Sequence, residues 1–281
     1  MAKKFKCNVC GQTFEADAMP DKCPICGAPA SECVEIESEN SQPKKKGLNT
    51  NGNGYTVVYA AVMVIIVAFM LAFVSSALKE TQDANVANDT KGQILTALRF
   101  EKEGLNVQQT YTETVKDMLW QDGKLVPYEG EFLTSYGQAI KDGRLHVFVA
   151  DTKDGLKYVI PMTGRGLWGG LWGYVALNED KQSVYGAYFY HESETAGLGA
   201  RIGDADFQQL FRDKRIFAQG GRDVAITVVK AGTVKNDAYE VNGITGATLT
   251  TVGVANMLKD GLEVYGSFLH DTAAVAQKQE K

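Results

Sequence analysis

Four cysteines near the start of the chain have the spacing of a metal site. They form two Cys-x-x-Cys pairs separated by twelve residues: Cys7, Cys10, Cys23 and Cys26. Two such pairs present four thiolates to one tetrahedral ion, which suits zinc or iron. The spacing leaves a structural zinc ribbon and an iron centre open. The fifth cysteine, Cys33, is predicted to serve packing alone.

The stretch Asn242–Thr251 (NGITGATLTT) combines glycines with hydroxyl groups ahead of a predicted helix, Val252 to Leu269. In one interpretation the stretch is a turn, and Thr250 or Thr251 caps the helix. In the other it binds an anion, because glycines let backbone amides approach a phosphate at the positive end of the helix. Taken by itself, the stretch favours the cap.

Two further stretches have compositions that allow a ligand site. The first, Arg165–Asn178 (RGLWGGLWGYVALN), places two tryptophans among glycines, which suits core aromatics in tight turns or a flat ligand near the backbone. The second, His191–Ile202 (HESETAGLGARI), is a polar loop with a Gly-Leu-Gly turn. Considered alone, this second stretch is typical of a surface loop.

A membrane-spanning helix is predicted from Tyr55 to Leu78, where the chain has no charged residue. A run of this length covers about 36 Å as a helix, enough to cross the hydrocarbon core of a bilayer. More than fifty residues precede the run, including the cysteine pairs, which argues against a secretory signal. The sequence therefore predicts a single-pass anchor.

The orientation of this anchor is predicted from charge. Lys44, Lys45 and Lys46 precede the span, whereas the charges just after it nearly cancel, so residues 1–54 are expected in the cytoplasm and 79–281 across the membrane. All five cysteines lie within the first 33 residues. That distribution fits a reducing compartment on the N-terminal side.

Composition and charge limit the class of protein and its domain organisation. The 281 residues are 44% hydrophobic and 22% charged, as in folded proteins, and the net charge of −5 gives no footprint for nucleic acid. Shifts in composition predict five parts. These are a cysteine-rich module (1–36), a linker (37–54), the membrane helix (55–78), a large outer domain (79–270) and a flexible tail (271–281).

Within the outer domain, strand-like runs predominate. Helices are predicted at Lys91–Glu103 and Ala205–Arg212, and the strand-like runs are RLHVFVAD, LKYVIPM, LWGYVALN, VYGAYFYHE and VAITVVK. Strands in succession with helices segregated between them indicate an α+β fold with a mainly antiparallel sheet and flanking helices.

The cysteine module, FKCNVCGQTFEADAMPDKCPICGAP, resembles the rubredoxin-like module of rubrerythrins. The similarity includes an aromatic residue two positions before the first cysteine and the Cys-Pro-x-Cys-Gly wording. The resemblance implies one redox-active iron, bound by Cys7, Cys10, Cys23 and Cys26, whereas the four cysteines by themselves also allow zinc.

The anchor, the GLWGGLWGYVAL wording, the His-x-x-Glu-Thr-x-Gly-Leu-Gly loop and the TGATLTT stretch together resemble the C subunits (NqrC) of sodium-translocating NADH:quinone reductases. The resemblance extends from about Leu48 to Leu269. The G subunits of Rnf complexes (RnfG) are more distant relatives. In this family the last Thr of a Ser/Thr-Gly-Ala-Thr motif carries FMN through a phosphoester, which implies covalent FMN on Thr248.

The resemblance also implies a set of residues around the flavin. The phosphate would lie near the small and hydroxyl residues of the motif, and the ring near the polar loop and a tryptophan: Thr245, Gly246, Ala247, Leu249, Thr250, Glu194, Thr195, Leu198, Gly199 and Trp172. Two positions depart from the family pattern, because Asn242 stands where Asp is usual and Ala196 where Pro is frequent.

The implied function is one-electron relay within a bacterial membrane complex that also has A, B, D, E and F subunits, with no activity in the isolated chain. A flavin transferase would attach the FMN. The implied location is the cell membrane, with the N-terminus cytoplasmic and the FMN domain periplasmic. Two alternatives remain: an RnfG-like protein using ferredoxin and NAD, and a non-enzymatic membrane protein with a zinc ribbon and an outer binding domain.

Overall fold

The computed structural model describes residues 3–36, 52–101, 103–130 and 132–271. The chain divides into two compact units, Met1–Ser76 and Ala77–Lys281. Most of the predicted linker and nearly all of the predicted tail lie outside the described residues.

The N-terminal module is a three-stranded antiparallel sheet with the strand order β2-β1-β3. Its strands are β1 (Lys3–Cys7), β2 (Thr13–Ala16) and β3 (Cys33–Ile36). Phe5, Cys7, Cys23 and Cys33 are the buried hydrophobic residues of its described part. So small a core cannot stabilise the module by apolar burial alone, which is the situation in which a metal ion contributes to folding.

The predicted membrane span lies within a longer helix, α1 (Asn53–Ala97, 45 residues). This helix is about 68 Å long at 1.5 Å per residue. Among the described residues it is the one helix that is long and apolar enough to cross a membrane, and its apolar window is wholly exposed. The chain therefore has a candidate membrane anchor at the predicted position.

The prediction of a separate helix at Lys91–Glu103 is wrong, because α1 continues through Lys91 without a break and ends at Ala97. No Gly or Pro interrupts residues 79–90, so nothing in the backbone stops the helix there. Arg99 then takes φ of 65°, while the N–H of Phe100 donates to the carbonyl of Leu95 and that of Arg99 to Thr96. This pattern is a Schellman motif, which ends the helix before the predicted terminus at Glu103.

The second unit is built on a six-stranded sheet with the order β5-β4-β6-β7-β8-β9, in which every neighbouring pair is antiparallel. The strands are β4 (Val115–Gln121), β5 (Lys124–Pro127), β6 (Leu145–Thr152), β7 (Gly155–Arg165), β8 (Gly170–Leu177) and β9 (Val184–His191). The prediction of an α+β fold with a mainly antiparallel sheet is confirmed.

Several elements differ from those expected. Sequence patterns missed β4, β5, and the helices α2 (Val107–Thr114) and α3 (Phe132–Lys141). The helix predicted at Ala205–Arg212 is shorter, α4 (Ala205–Gln209), and a turn with Asp213 at φ of 62° follows it. VAITVVK forms only the short β10 (Thr227–Val229), which pairs in parallel with β11 (Glu240–Asn242).

The closing helix also differs from the prediction. It is α5 (Thr248–Val264), followed by a single turn, α6 (Gly266–Leu269), so it begins four residues earlier than Val252. It packs so closely on the sheet that a Cβ on Gly253 would collide with the carbonyl oxygen of Arg165. The opposite face of the sheet packs against the end of α1 through Ile94 and Leu95.

Candidate functional site

The first turn of α5 lies in the hydroxyl-rich stretch and has no side-chain cap. Its N-cap residue is Ala247, and no side chain there accepts a hydrogen bond from the helix. The interpretation of Thr250 or Thr251 as the cap is wrong, because both already lie inside the helix. Thr251 instead accepts the N–H of Ile244 at 3.3 Å, which braces the preceding turn.

This arrangement leaves backbone donors at the start of α5. The first hydrogen bond of the helix runs from the N–H of Thr251 to the carbonyl of Ala247. The N–H groups of residues 248–250 therefore point out of the helix end, where an anion is favoured. Gly246, at φ of +82°, makes the turn into the helix that an L-residue would resist.

Burial separates the four threonines of the motif into two pairs. Thr250 and Thr251 are 2% and 3% exposed, and each makes a side-chain hydrogen bond. Thr245 and Thr248 are exposed, and Thr248 is the first residue of the helix. Of the two, Thr248 therefore has its hydroxyl group next to the free amides.

The polar loop after β9 meets this helix end. The Thr250 hydroxyl donates to Oε2 of Glu194 at 2.5 Å. A Cβ on Gly199 would stand 2.5 Å from the Thr250 hydroxyl and 2.6 Å from the same carboxylate, so only glycine fits between them. The side chain of Leu198 approaches Gly246. Two segments some fifty residues apart thus form one surface.

The other predicted site residues lie on this surface or beside it. Thr195 is exposed, and its carbonyl accepts the N–H groups of Leu198 and Ala200, which shapes the loop. Leu249 is exposed next to Thr248. Asn242 accepts the N–H of Gly232 at 2.9 Å through its side-chain oxygen, an acceptor role that Asp could also fill.

Glu194 is a buried carboxylate, 7% exposed, held by several donors. Its Oε1 accepts the N–H of Trp168 at 2.8 Å. Burial opposes its ionisation, but hydrogen bonds from Thr250 and from the backbone of residues 167–169 outweigh burial and hold the pKa below the usual 4.5. Glu194 is thus an ionised hydrogen-bond acceptor that connects the turn before β8 to α5. With its pKa lowered in this way, it is unsuited to be a general base.

A Glu194→Gln variant is expected to lower the free energy of unfolding of this domain by about 1–3 kcal/mol at pH 7, because an amide satisfies these donors poorly. Since the folded pKa is depressed, the carboxylate stabilises above about pH 4.5, and this contribution is lost as pH falls through the folded value. Urea unfolding from pH 7 down to about pH 3 should show the difference from wild type shrinking below about pH 4.5. As a control, Glu263→Gln on the exposed face of α5 should stay within about 0.5 kcal/mol of wild type. A pH-independent difference for Glu194→Gln would contradict the assignment.

The structure does not bring Trp172 to this surface. Its indole N–H donates to Gln93 of α1 at 3.1 Å, and its ring packs against Tyr190. Side chains alternate along β8, so Trp172 lies on the α1 face, whereas Leu171 faces α5. Of the two tryptophans, Trp168 lies closer to Glu194, and its side chain is 66% exposed. The sequence signal that could have separated them is position: Trp172 lies inside the strand-like run, where alternation sets it opposite to Leu171, whereas Trp168 lies in the glycine-rich turn before it.

The α1 face also holds a cavity of about 860 Å³, which Trp172 lines. Its other walls include aromatic rings from α3 and from the strands, among them Phe132, Tyr174 and Tyr188. The sheet separates this cavity from the start of α5, so it is not part of the surface around Thr248.

In the N-terminal module, the four predicted ligand sulfurs converge. The Sγ atoms of Cys7, Cys10, Cys23 and Cys26 all lie within 4.8 Å of one another. Two of the separations are 3.7 Å, from Cys7 to Cys26, and 4.0 Å, from Cys10 to Cys23. A tetrahedral ion with metal–sulfur bonds of about 2.3 Å needs sulfur separations of about 3.8 Å, so the cluster fits one ion.

Both Cys-x-x-Cys segments form the same turn. Gly11 and Gly27 follow the second cysteines at φ of 73° and 74°, and each donates its N–H to the carbonyl of the first cysteine. The N–H of Cys10 is the main cause that lowers the pKa of Cys7 to about 6, and the N–H of Cys26 likewise lowers that of Cys23. At Cys7 and Cys23 the backbone thus favours the thiolate, the form that binds metal.

Comparison with known proteins matches both parts of the chain. Residues 166–263 match the FMN-binding domain family, and residues 5–32 match the rubredoxin-like domain family of rubrerythrin. The C subunit of the Na(+)-translocating NADH-quinone reductase from Haemophilus ducreyi is 29% identical over 79% of this chain and 95% of its own. The corresponding protein from Yersinia pestis is 26% identical, over 80% of this chain and 94% of its own.

A solved structure extends the likeness to the fold. The crystal structure of the same reductase's C subunit from Parabacteroides distasonis has a TM-score of 0.63 and 36% identity, and the match covers 69% of this chain and 98% of that one. With the FMN-binding match spanning both the Glu194 loop and the start of α5, the chain belongs to the family of C subunits of Na(+)-translocating NADH-quinone reductases.

Proposed function

We propose that this chain is the electron-transferring C subunit of a Na+-translocating NADH:quinone oxidoreductase, with FMN joined through a phosphoester to Thr248. The observation that carries the proposal is the exposed Thr248 hydroxyl beside the uncapped amides that begin α5. When bound, FMN supplies a flavin ring that accepts and donates electrons. The isolated chain would have no activity of its own.

The residues around Thr248 suit a phosphate ester. Gly246 and Ala247 leave room for a flavin transferase to bring the activated phosphoryl group of a flavin nucleotide to the Thr248 oxygen. In that step a new phosphorus–oxygen bond forms, the bond to the donor's leaving group breaks, and the hydroxyl proton leaves. The N–H groups of residues 248–250 can then donate to the phosphate oxygens, and the helix end favours the negative charge.

The loop after β9 is the proposed contact surface for the flavin ring. Thr195 and Leu198 are exposed beside the motif, and Glu194 and Gly199 hold the loop against Thr250. Because Trp172 faces α1, we assign the aromatic contact to Trp168 instead. Glu194 orients the turn at Trp168 and thereby positions this surface.

For the cysteine module we propose one redox-active iron. The four sulfurs fit a tetrahedral ion, and the match to a rubredoxin-like domain supports iron over zinc. Direct electron transfer between this centre and the outer domain would have to cross about 30 Å of hydrocarbon in one step, which is implausible. Any exchange between them would therefore use other proteins of the complex.

We further propose that α1 anchors the chain in the cell membrane, with the cysteine module in the cytoplasm and the FMN domain outside, beside the A, B, D, E and F subunits. The three lysines at 44–46 support this orientation. Protease added to intact spheroplasts should digest the FMN domain and leave an N-terminal fragment that contains all five cysteines. Digestion of the cysteine module instead would reverse the orientation.

Deletion of this chain from its host should abolish NADH-driven Na+ uptake by inverted membrane vesicles, because the electron path would lack one relay. Re-expression of the wild-type chain should restore uptake, and an affinity tag on it should recover the other proteins of the complex. Uptake of Na+ that persists without the chain would refute the proposal. Activity that requires ferredoxin in place of quinone would assign the complex to the Rnf class.

A further inference from the structure

Cys33, the one cysteine outside the predicted ligand set, lies against the ligand sulfurs. It begins β3 and pairs directly with Cys7 of β1 in the antiparallel register. Side chains of directly opposed residues point to the same side of a sheet, with Cβ atoms about 4.5–5.5 Å apart. Cys33 is 4% exposed and belongs to one buried cluster with Cys7 and Cys23. It is therefore built into the metal centre.

Cys33 packs beside two of the ligand cysteines in particular. Its side chain lies in one buried cluster with those of Cys7 and Cys23, and the register of the sheet sets it directly opposite Cys7. It does not join the set of four sulfurs that lie within 4.8 Å of one another. Four cysteines already complete a tetrahedral site, so a fifth buried thiolate would add an uncompensated charge beside them. A protonated thiol packed beside Cys7 and Cys23 avoids that charge and can donate to a ligand thiolate.

Hydrogen bonds already reach these sulfurs from the backbone. The N–H groups of Val9 and Cys10 donate to Cys7, and those of Ile25 and Cys26 donate to Cys23. The Cys33 side chain packs into the same buried cluster from the third strand, directly opposite Cys7. Hydrogen bonds to ligand sulfurs tune the reduction potential of iron–thiolate centres, because they stabilise the more negative, reduced form.

We propose that Cys33 donates an S–H···S hydrogen bond to the sulfurs of Cys7 and Cys23 without binding the ion, and so raises the reduction potential of iron held by the four cysteines. The statement about potential rests on the proposed iron centre. The hydrogen bond itself requires only an ion in the four-sulfur site. Cys33 is thus a positioning and tuning residue of the centre.

The hydrogen bond can be observed in the unmodified, metal-loaded full-length protein. The chain has five cysteines, so once four bind the ion, Cys33 has the remaining thiol. The infrared S–H stretch should appear as one band, shifted to lower frequency than that of a free thiol. A band at the free-thiol frequency, or no S–H band at all, would overturn the proposal.

Its effect on the centre is tested with Cys33→Ala, Cys33→Val and Cys33→Ser in the full-length protein reconstituted with iron. All three should retain one iron and a four-thiolate spectrum. Ala and Val should shift the midpoint potential downward and move the sulfur-to-iron absorption band, and Ser, which keeps a donor, should restore part of both shifts. An unchanged potential in Ala and Val, or loss of the four-thiolate spectrum, would refute the assignment.

Failure of the iron proposal can be told apart from failure of this one. If the protein as isolated contains zinc, the redox role of the module is wrong. Substitution with Co2+ then still reports the hydrogen bond, because its sulfur-to-metal bands should move in Cys33→Val relative to wild type. Identical Co2+ spectra in the two proteins would reject the role of Cys33 whatever the native ion.

Discussion

A Thr248→Ala variant, expressed together with its flavin transferase, is expected to contain no covalent flavin. The substitution removes the oxygen to which the phosphorus would be bonded, whereas alanine at the first position of a helix leaves α5 intact. Wild-type protein should fluoresce in a denaturing gel and carry the mass of FMN on the peptide that contains residue 248. The variant should show neither signal, which is a complete loss rather than a partial one.

Two matched variants make this experiment specific. Thr245→Ala removes the other exposed hydroxyl of the same motif and should retain full flavin, because residue 245 precedes the turn at Gly246 and lies outside the first turn of α5. Thr248→Ser keeps an oxygen at the site and should be modified. Covalent flavin in Thr248→Ala, or its loss in Thr245→Ala alone, would refute attachment at Thr248.

Substitution of Cys23 by serine is expected to remove the metal from the N-terminal module. Cys23 is 2% exposed, and its sulfur is one of the four that converge. Substitution of residues that only hydrogen-bond to metal ligands lowers metal affinity by about 10–100-fold. Loss of a ligand itself should therefore lower the affinity by more than about 100-fold. Because the module has so little apolar core, it should also unfold without the ion. Metal analysis and the visible spectrum of the full-length protein measure the first effect.

The same experiment has an internal control in the first cysteine pair. Val9 lies between two ligands, but its side chain is 63% exposed, so Val9→Ala should retain the metal. Hydrogen exchange should show loss of protection in residues 3–36 of Cys23→Ser and unchanged protection in the FMN domain, since the two belong to separate compact units. Full metal content in Cys23→Ser would show that another group replaces this ligand. A red metal-loaded wild type is expected for oxidised iron, and a colourless one would assign zinc.

Errors in the predicted elements have identifiable physical causes. The start of α5 was placed too late because Gly246, Ala247 and the threonines are typical of turns and caps, whereas the packed helix extends over the last of them. The end of α1 was placed too late because an arginine, rather than glycine, takes the left-handed position that ends it. Both outcomes depend on packing that overrides local preference.

At the functional site, too, some features could be predicted from the sequence and others depended on packing. The motif and its hydroxyl groups were visible in the sequence, and the family resemblance implied Thr248, but residue types and spacing alone did not choose between Thr245, Thr248, Thr250 and Thr251. Burial narrows the choice, since Thr250 and Thr251 are buried and hydrogen-bonded whereas Thr245 and Thr248 are exposed. The choice of tryptophan depended in the same way on the face of β8 from which Trp172 points.

The sequence by itself determined the features that chain geometry settles within a few residues: the two Cys-x-x-Cys pairs, the apolar span and the Thr-Gly-Ala-Thr motif. Tertiary structure alone decided which distant groups meet, including the bond from Thr250 to Glu194 and the packing of Cys33 with Cys7 and Cys23 in one buried cluster. The reason is physical. Spacing along a turn or helix follows from backbone geometry, whereas burial, hydrogen-bond partners and the face that a side chain occupies follow from how the elements pack.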